Sequence, residues 1–310
     1  MRSLILMTLI GLSATALTPV RSPEQESRSE GPYAIAVDVR LVVFNVTVTD
    51  NKGRNVSGLK ATDFHIREEN RSEQITFFSA ADAPATVGLV IDNSGSMRDK
   101  RADATNAALA FVRVGNSDNE MFVVTFNEKP YLGLPSSIAF TNDLDQIRSA
   151  LVRSPPTGLT ALYDALAVGI ERLKAGARER KALVVLSDGE DNASRHTLND
   201  VLQLALRSNA TIYAIAIDDA ADPDRNPRAL RKIAESTGGR AYFPRDLKGL
   251  EQVWRDIAEG IRNQYTIGYY ASNTSRDGMF RRIEIAVSRS GLRVISRDGY
   301  YAPGATSTAR

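Results

Sequence analysis

Five oxygen-bearing side chains stand in three separate segments of the chain, with no His or Cys among them. They are Asp92, Ser94, Ser96, Thr160 and Asp188. Carboxylates and hydroxyls are hard ligands, which favour Mg²⁺, Mn²⁺ or Ca²⁺ over zinc. Two carboxylates balance one divalent cation, and an octahedral ion keeps an exchangeable water that an outside carboxylate can replace. The set therefore predicts one divalent cation, Mg²⁺ the preferred ion, that holds an acidic group of a partner.

Each segment also has a plainer interpretation. Asp and Ser are favoured at helix N-caps whatever their function, and Thr160 stands just before a predicted helix. A strand that ends in Asp-Gly, as at Asp188, is often only a turn. We expect Gly95 to let the backbone turn tightly enough for the flanking hydroxyls to face one point. The metal prediction depends on all three segments meeting in space.

Short apolar runs alternate with helical patterns from about residue 85. The runs span residues 87–91, 121–126, 182–186 and 210–217. The helical patterns span residues 102–114, 141–151, 162–174, 197–207, 228–237 and 247–262. Continuous apolar runs are typical of strands covered on both faces, and the alternation predicts an α/β domain with a doubly wound, mostly parallel sheet. In such sheets, functional groups lie in loops at the carboxyl ends of strands, and we expect the three segments to lie there.

Two β-rich segments flank the α/β domain, which we place at residues 85–262. They span residues 33–84 and 263–303, and neither has enough strands for an independent core. We therefore expect them to pack together as one small β-sandwich-like module. Pro130 cannot donate a ladder hydrogen bond, so the segment that it begins is expected to lie at a sheet edge.

The first 20 residues have the pattern of an export signal. Arg2 precedes an apolar run over residues 4–12, and Ala14-Thr15-Ala16 has the small-x-small form of a cleavage site. The apolar stretch is too short and too polar for a membrane anchor, so the mature chain is predicted to lack a membrane span. Residues 21–32 are expected to be a disordered leader and 304–310 a tail. We predict a periplasmic or extracellular protein.

Charge and cysteine content exclude several classes. The chain has 39 basic and 37 acidic residues, a net charge of +2, and no long basic block. This balance gives no reason to expect nucleic acid or an anionic membrane as the partner. Without cysteine, the chain has no disulfides, thiolate metal sites or cysteine nucleophiles, which suits a bacterial exported protein.

The order and spacing of the five residues resemble the metal-ion-dependent adhesion site of von Willebrand factor A domains, whose fold is Rossmann-like. The first three residues match the family's first motif, Thr160 matches its single threonine, and Asp188 matches its distal aspartate. The resemblance covers roughly residues 85–262. It implies that the hydroxyls contact the metal directly and that one or both aspartates act through water.

The whole chain also resembles a bacterial group of exported proteins in which such a domain is flanked by β segments. The supporting stretches are residues 58–64, 180–191 and 297–301. This second resemblance implies an architecture rather than an activity.

These observations predict metal-dependent protein binding or adhesion outside the cytoplasm, without catalysis. One alternative is a structural envelope scaffold with a stabilising metal site. Another alternative is a metal-assisted hydrolase. The sequence has no G-x-S-x-G segment and no visible general base, and its only histidines are His65 and His196, so this alternative is disfavoured. Acidic residues 218–226 could form a calcium loop or a partner-facing rim, but the glycine of a calcium-binding helix–loop–helix is missing and a solvated acidic loop is the favoured interpretation.

Overall fold

A computed structural model describes residues 40–217, 226–244 and 249–304. The predicted signal peptide and leader lie outside the described residues, as do the beginning of the first β-rich segment, nearly all of the acidic segment 218–226, and the tail beyond Gly304.

The described residues form fourteen strands and six α-helices. The strands are β1 (Leu41–Asp50), β2 (Phe64–Glu68), β3 (Arg71–Glu73), β4 (Ile75–Ser79), β5 (Ala85–Asp92), β6 (Glu120–Phe126), β7 (Pro130–Leu132), β8 (Arg180–Ser187), β9 (Thr211–Ala216), β10 (Ala241–Tyr242), β11 (Tyr265–Tyr270), β12 (Phe280–Val287), β13 (Leu292–Ile295) and β14 (Gly299–Tyr301). The helices are α1 (Arg101–Val114), α2 (Leu144–Val152), α3 (Leu162–Lys174), α4 (Leu198–Ser208), α5 (Pro227–Ser236) and α6 (Leu250–Arg262). Two 3₁₀ helices span Ala61–Asp63 and Gly95–Lys100.

The central sheet has the strand order β10-β9-β8-β5-β6-β7. Its ladders are parallel except at β7, which pairs antiparallel with β6 and places Pro130 on the sheet edge as predicted. All eight residues of β5 are buried, so both sheet faces are covered. The chain runs from β5 to β6 and later to β8 on the other side of β5, which makes a topological switch point between β5 and β8. The predicted doubly wound α/β class is confirmed.

The six helices fall into two groups. Helix α1 packs on α2 and α6, and α4 packs on α3 and α5. Trp254 of α6 is fully buried and meets Phe111 of α1 edge to face, with ring centroids 5.5 Å apart. Aromatic pairs of this geometry add to the stabilisation from area burial. The apolar stripe of α6 is therefore part of the core.

The flanking β segments form two four-stranded antiparallel sheets, with the orders β13-β1-β11-β4 and β14-β12-β2-β3. Each sheet combines strands from before and after the α/β domain, so the segments pack together as predicted. They share a second apolar core that includes Phe44, Ile267 and Ile285. The short strands β3 and β14 have no apolar alternation and were not predicted, because their pairing with β2 and β12 defines them.

The chain passes between the β-sheets and the α/β domain twice, once between β4 and β5 and once between α6 and β11. Both connections contact Arg180. Its guanidinium is buried and donates to the carbonyls of Ala81 (3.0 Å) and Gln264 (2.9 Å), and also to that of Ile261 at the end of α6 (3.3 Å). Cationic donors near a helix carboxyl end satisfy carbonyls that have no partner within the helix. Arg180 therefore holds both connections against the edge of the α/β domain.

One helix begins later than its pattern predicts. Residues 141–151 have a helical pattern, but α2 starts at Leu144 because Asp143 caps it. The Asp143 carboxylate accepts from the amides of Asp145 (2.8 Å) and Gln146 (3.1 Å), whereas Thr141 forms a β-bridge with Met121. An Asp with extended backbone just before a helix is a favoured N-cap.

Candidate metal centre

Asp92 ends β5 at the switch point, and both of its carboxylate oxygens are hydrogen-bonded. The Ser94 amide donates to Oδ1 (2.9 Å), and the Ser187 hydroxyl at the end of β8 donates to Oδ2 (2.6 Å). The residue is only 3% exposed. Neighbouring parallel strands therefore fix the orientation of this carboxylate.

The serine pair reaches the distal aspartate directly. The hydroxyls of Ser94 and Ser96 lie 3.1 Å apart, and the Ser96 hydroxyl donates to Oδ2 of Asp188 (2.6 Å). Ser94 and Asp188 are buried, whereas Ser96 is exposed. With Asp92 bonded to the Ser94 amide, a continuous run of contacts joins four of the five predicted residues.

Thr160, the fifth residue, is fully buried, and its hydroxyl has no hydrogen-bond partner. Its main chain is tied to the segment after β8, because its amide donates to Oδ1 of Asn192 (2.8 Å) and its carbonyl accepts from the Asn192 amide (3.0 Å). The same loop meets the serine segment where the Gly95 amide donates to the Gly158 carbonyl (3.2 Å). Thr160 is thus held between the two other segments.

Helix capping does not account for these hydroxyls. Helix α3 begins at Leu162 with Ala161 as its N-cap, so Thr160 is one residue too early. Ser94 does precede the 3₁₀ helix, but its side chain makes no capping hydrogen bond. The N-cap interpretation is therefore wrong for Thr160, whereas Ser94 stands at the N-cap position but its hydroxyl contacts Ser96 instead of a helix amide.

The expected role of Gly95 is also wrong. Its φ is not positive, and a Cβ there would lie 3.6 Å from the Gly158 carbonyl oxygen, an ordinary contact. The left-handed backbone that favours glycine occurs in the other two loops, at Gly158 (φ 79°) and Gly189 (φ 88°). A Cβ at Gly158 would also lie 2.9 Å from Oε1 of Glu128. These two glycines shape the loops that bring in Thr160 and Asp188.

The electrostatics of the site are those of two carboxylates held close together. Burial, together with the charge of Asp188, raises the pKa of Asp92 to about 7. Hydrogen bonds from Ser187 and Ser94 lower this pKa but do not offset the rise. Within the described ranges, no Lys or Arg forms an ion pair with either carboxylate. Like charges at a buried site are stabilised when a cation lies between them.

The donor set fits a hard divalent cation. Across the described residues, no three His, Cys, Asp or Glu side chains gather as a metal site would require, so any cation here must also use hydroxyls. A buried hydroxyl without a partner is rare in folded proteins, and Thr160 has one. Two carboxylates, two adjacent serine hydroxyls and this threonine could supply the oxygen ligands that Mg²⁺ or Mn²⁺ takes.

Three residues that position the site were not singled out as site residues from the sequence. Ser187 orients Asp92, Asn192 holds the Thr160 loop, and the Asn93 side chain donates to the carbonyls of Ser154 (3.1 Å) and Pro155 (3.0 Å). Each stands next to a predicted ligand or in the same loop, which is the signal that could have found them. Polar neighbours that orient ligands are a general feature of metal sites.

A hydrolase arrangement is not formed by these residues. Ser187 donates to Asp92, and Nδ1 of the exposed His196 lies 2.7 Å from Oδ1 of Asp164. The Asp164 carboxylate also accepts from the His196 amide (2.9 Å), so this pair holds the loop after β8. A nucleophile and base that serve catalysis must lie within hydrogen-bond reach of each other.

The fold is a doubly wound α/β domain with carboxylate and hydroxyl side chains at its switch point. The sequence model of the von Willebrand factor type A domain matches residues 87–256, more than half of the 310-residue chain. The chain therefore belongs to this family, whose domains generally act as protein interaction modules. Among curated protein sequences, none matches the chain.

Solved structures show the same fold at low sequence identity. A von Willebrand factor type A protein from Catenulispora acidiphila matches with a TM-score of 0.51 and 17% identity, over 88% of this chain and 76% of that chain. Proximal thread matrix protein 1 from the mussel byssus matches with a TM-score of 0.50 and 18% identity. That match covers 63% of this chain and 51% of that chain, so this chain spans about half of the mussel protein.

A further structure of the mussel protein is described as having a zinc-occupied metal-ion-dependent adhesion site motif. It matches with a TM-score of 0.47 and 19% identity, over 63% of this chain and 49% of that chain. Among the helices of the described ranges, none combines the length and apolar character needed to span a bilayer.

Proposed function

We propose that the chain is an exported binding protein that holds an acidic group of a protein partner through one divalent cation, with Mg²⁺ the preferred ion. The proposed ligands are Asp92, Ser94, Ser96, Thr160 and Asp188. The hydroxyls would contact the metal directly, and the aspartates would fix the ion and its waters. The proposed role is binding without turnover.

The unpartnered Thr160 hydroxyl is the observation that carries this proposal. A buried hydroxyl without a hydrogen bond costs about 1–3 kcal/mol of stability, so a fold keeps one where a ligand supplies the missing contact. The Thr160 loop is tied by main-chain hydrogen bonds to the loops that carry the serine pair and Asp188, which supports a cation among these loops as the missing partner.

The exposure pattern supports a partner on the solvent side. Ser96 is exposed, whereas Asp92, Ser94 and Asp188 are buried. A cation among them would be covered by protein on one side and would keep its exchangeable water on the other. A Glu, an Asp or a terminal carboxylate is the natural replacement for that water, because a hard cation prefers charged oxygen ligands.

Metal binding is tested by titrating Mg²⁺ and Mn²⁺ into chelator-treated protein in a calorimeter. We expect one site per chain, lost in Ser96→Ala and unchanged in Ser136→Ala, a control at another exposed serine. Ser96 is exposed, so its truncation leaves the core intact. Equal metal affinity in wild type and Ser96→Ala would contradict the ligand set.

Partner binding is tested with metal-loaded protein and immobilised random peptides that carry a central Glu. The matched control peptides carry Gln at that position. We expect retention of the Glu peptides in Mn²⁺, release by EDTA, and no retention by Ser96→Ala. Metal binding together with equal retention of Glu and Gln peptides would refute the acidic partner and favour a stabilising metal site.

The same proposal includes export directed by a signal peptide at residues 1–20. It also includes a von Willebrand factor A domain at residues 85–262 and a C-terminal β segment at residues 263–303. N-terminal sequencing of the protein recovered from the periplasm or medium of a bacterial host tests the export signal. We expect a mature chain that begins beyond the signal peptide, as in the exported bacterial group that the sequence resembles. An intact N-terminus in the cytoplasm would contradict export.

A further inference from the structure

A cavity lies between the α/β domain and the flanking β-sheets, and its lining includes Glu179, which stands at the end of β8 opposite Asp188. Its volume is about 430 Å³, within the range of small-molecule sites. We call it the arginine pocket and define it by six of its lining residues: Arg40, Glu179, Arg207, Arg297, Tyr300 and Tyr301. Three of these belong to the stretch 297–301, which the metal site does not use.

Aromatic rings hold the three guanidinium groups in place. Arg207 of α4 lies over the ring of Tyr301, 4.1 Å from its centroid, and Arg40 lies 5.3 Å from that of Tyr300. Arg297 lies 4.3 Å from the ring centroid of Phe44. A cation on an aromatic face is stabilised and ordered, yet its edge keeps donors for an oxyanion.

The pocket carries an excess of positive charge. Within the described part of the chain, none of the three arginines forms an ion pair, including with Glu179, the one acidic side chain in the lining. Three guanidinium groups and one carboxylate leave a formal charge of +2. A guanidinium that is partly buried without a counter-charge, as that of Arg297 is, is costly, so the pocket favours an anion that restores the balance.

Arg297 shows this imbalance most clearly. It is partly buried, its Nη2 donates to the Val43 carbonyl (2.8 Å), and its Nε is buried without a partner. Burial lowers the pKa of its guanidinium to about 10, and repulsion from Arg40 acts in the same direction.

We propose that the arginine pocket binds a phosphate dianion, free or carried as a monoester on a small molecule such as a sugar. The dianion matches the formal charge of +2, and guanidinium forks match the geometry of phosphate oxygens. Arg207 comes from α4, whereas Arg40 and Arg297 come from the β segments, so a bound phosphate bridges the α/β domain and the β-sheets. The site is independent of the cation proposed above.

The test is calorimetric titration of the full chain, in EDTA and at low salt, with inorganic phosphate, glucose 6-phosphate and glucose. We expect both phosphates to bind and glucose not to bind. Tighter binding of glucose 6-phosphate assigns the pocket to an ester, and equal binding assigns it to free phosphate. No binding of either phosphate at millimolar concentration overturns the proposal.

Variants locate the binding. Arg207 and Arg40 are exposed, so Arg207→Gln and Arg40→Gln leave the core intact; each is expected to weaken phosphate binding about tenfold. Arg148→Gln, which removes an exposed arginine on α2, is the control and should bind as wild type does. Equal losses in Arg148→Gln and Arg207→Gln would show nonspecific attraction and refute the pocket. Ser96→Ala should leave phosphate binding unchanged, which separates this site from the metal site.

Discussion

Replacing Thr160 with valine should change stability in opposite directions without and with metal. Valine has nearly the same shape as threonine but carries a methyl group where Thr160 has its unpartnered, fully buried hydroxyl. Without metal, the buried hydroxyl costs about 1–3 kcal/mol. We therefore expect Thr160→Val to raise the free energy of unfolding of the metal-free protein by about that amount.

With metal, the order should reverse. A cation at a thousand times its Kd stabilises a folded protein by about 4.1 kcal/mol, which exceeds the cost of the unpartnered hydroxyl, and we expect the wild type to gain this amount. Thr160→Val lacks one direct ligand and should gain much less at the same concentration. Thr160→Ser keeps the hydroxyl, so it should keep the metal response and lose about 1 kcal/mol from the missing methyl group.

Urea unfolding is the assay, in EDTA and in Mg²⁺. Trp254 is the only tryptophan and is fully buried in the α/β domain, so its fluorescence reports unfolding there. A metal-free Thr160→Val protein less stable than wild type would refute our account of the buried hydroxyl. An undiminished gain with Mg²⁺ in Thr160→Val would show that Thr160 is not a ligand.

Three further predictions concern the scaffold. Burial acts to raise the pKa of Glu120, but hydrogen bonds from Thr86 and two backbone amides outweigh it and leave the pKa lowered. A lowered carboxyl pKa stabilises the fold above the unfolded-state value and loses that effect as the pH falls through the folded-state value. Solvent screens this partly exposed carboxylate, so Glu120→Gln should cost about 1 kcal/mol in urea unfolding at pH 7, and the deficit should shrink below about pH 4; a deficit independent of pH would contradict this. Gly158→Ala places an alanine in the left-handed region and crowds Glu128, so it should lower the free energy of unfolding by about 1–2 kcal/mol. It should also weaken Mn²⁺ binding measured by calorimetry. Unchanged Mn²⁺ affinity would show that the loop tolerates the change. Asp143→Ala removes the cap of α2 and should cost about 1 kcal/mol in thermal unfolding, whereas Asp143→Asn, a residue also favoured at N-caps, should cost less; equal losses would refute the capping role.

Local patterns determined most of the fold. Continuous apolar runs identified the buried strands β5, β6, β8 and β9, because strands covered on both faces must be apolar at every position. The same runs placed candidate ligands directly after strand ends. Such a pattern indicates whether a segment is a strand or a helix, because the period of apolar side chains depends only on the local sequence.

The order of strands was decided by tertiary packing alone. Asp92 and Asp188 lie 96 positions apart, and they meet because β8 pairs with β5 on the side opposite β6. Thr160 joins them through main-chain bonds to Asn192, which no spacing in the sequence specifies. Whether its hydroxyl capped a helix or stayed unpartnered depended on α3 starting at Leu162, one residue later than a cap at Thr160 requires.

The arginine pocket has no signal in the sequence at all. Arg40, Arg207 and Arg297 belong to three elements that are distant along the chain, and scattered arginines are ordinary surface residues. They come together because the β segments before and after the α/β domain pair with each other and then pack beside α4. The sequence thus determined the types of element and the chemistry at their ends. Packing of the apolar faces, which acts between residues remote in the chain, decided which of those ends would share a site.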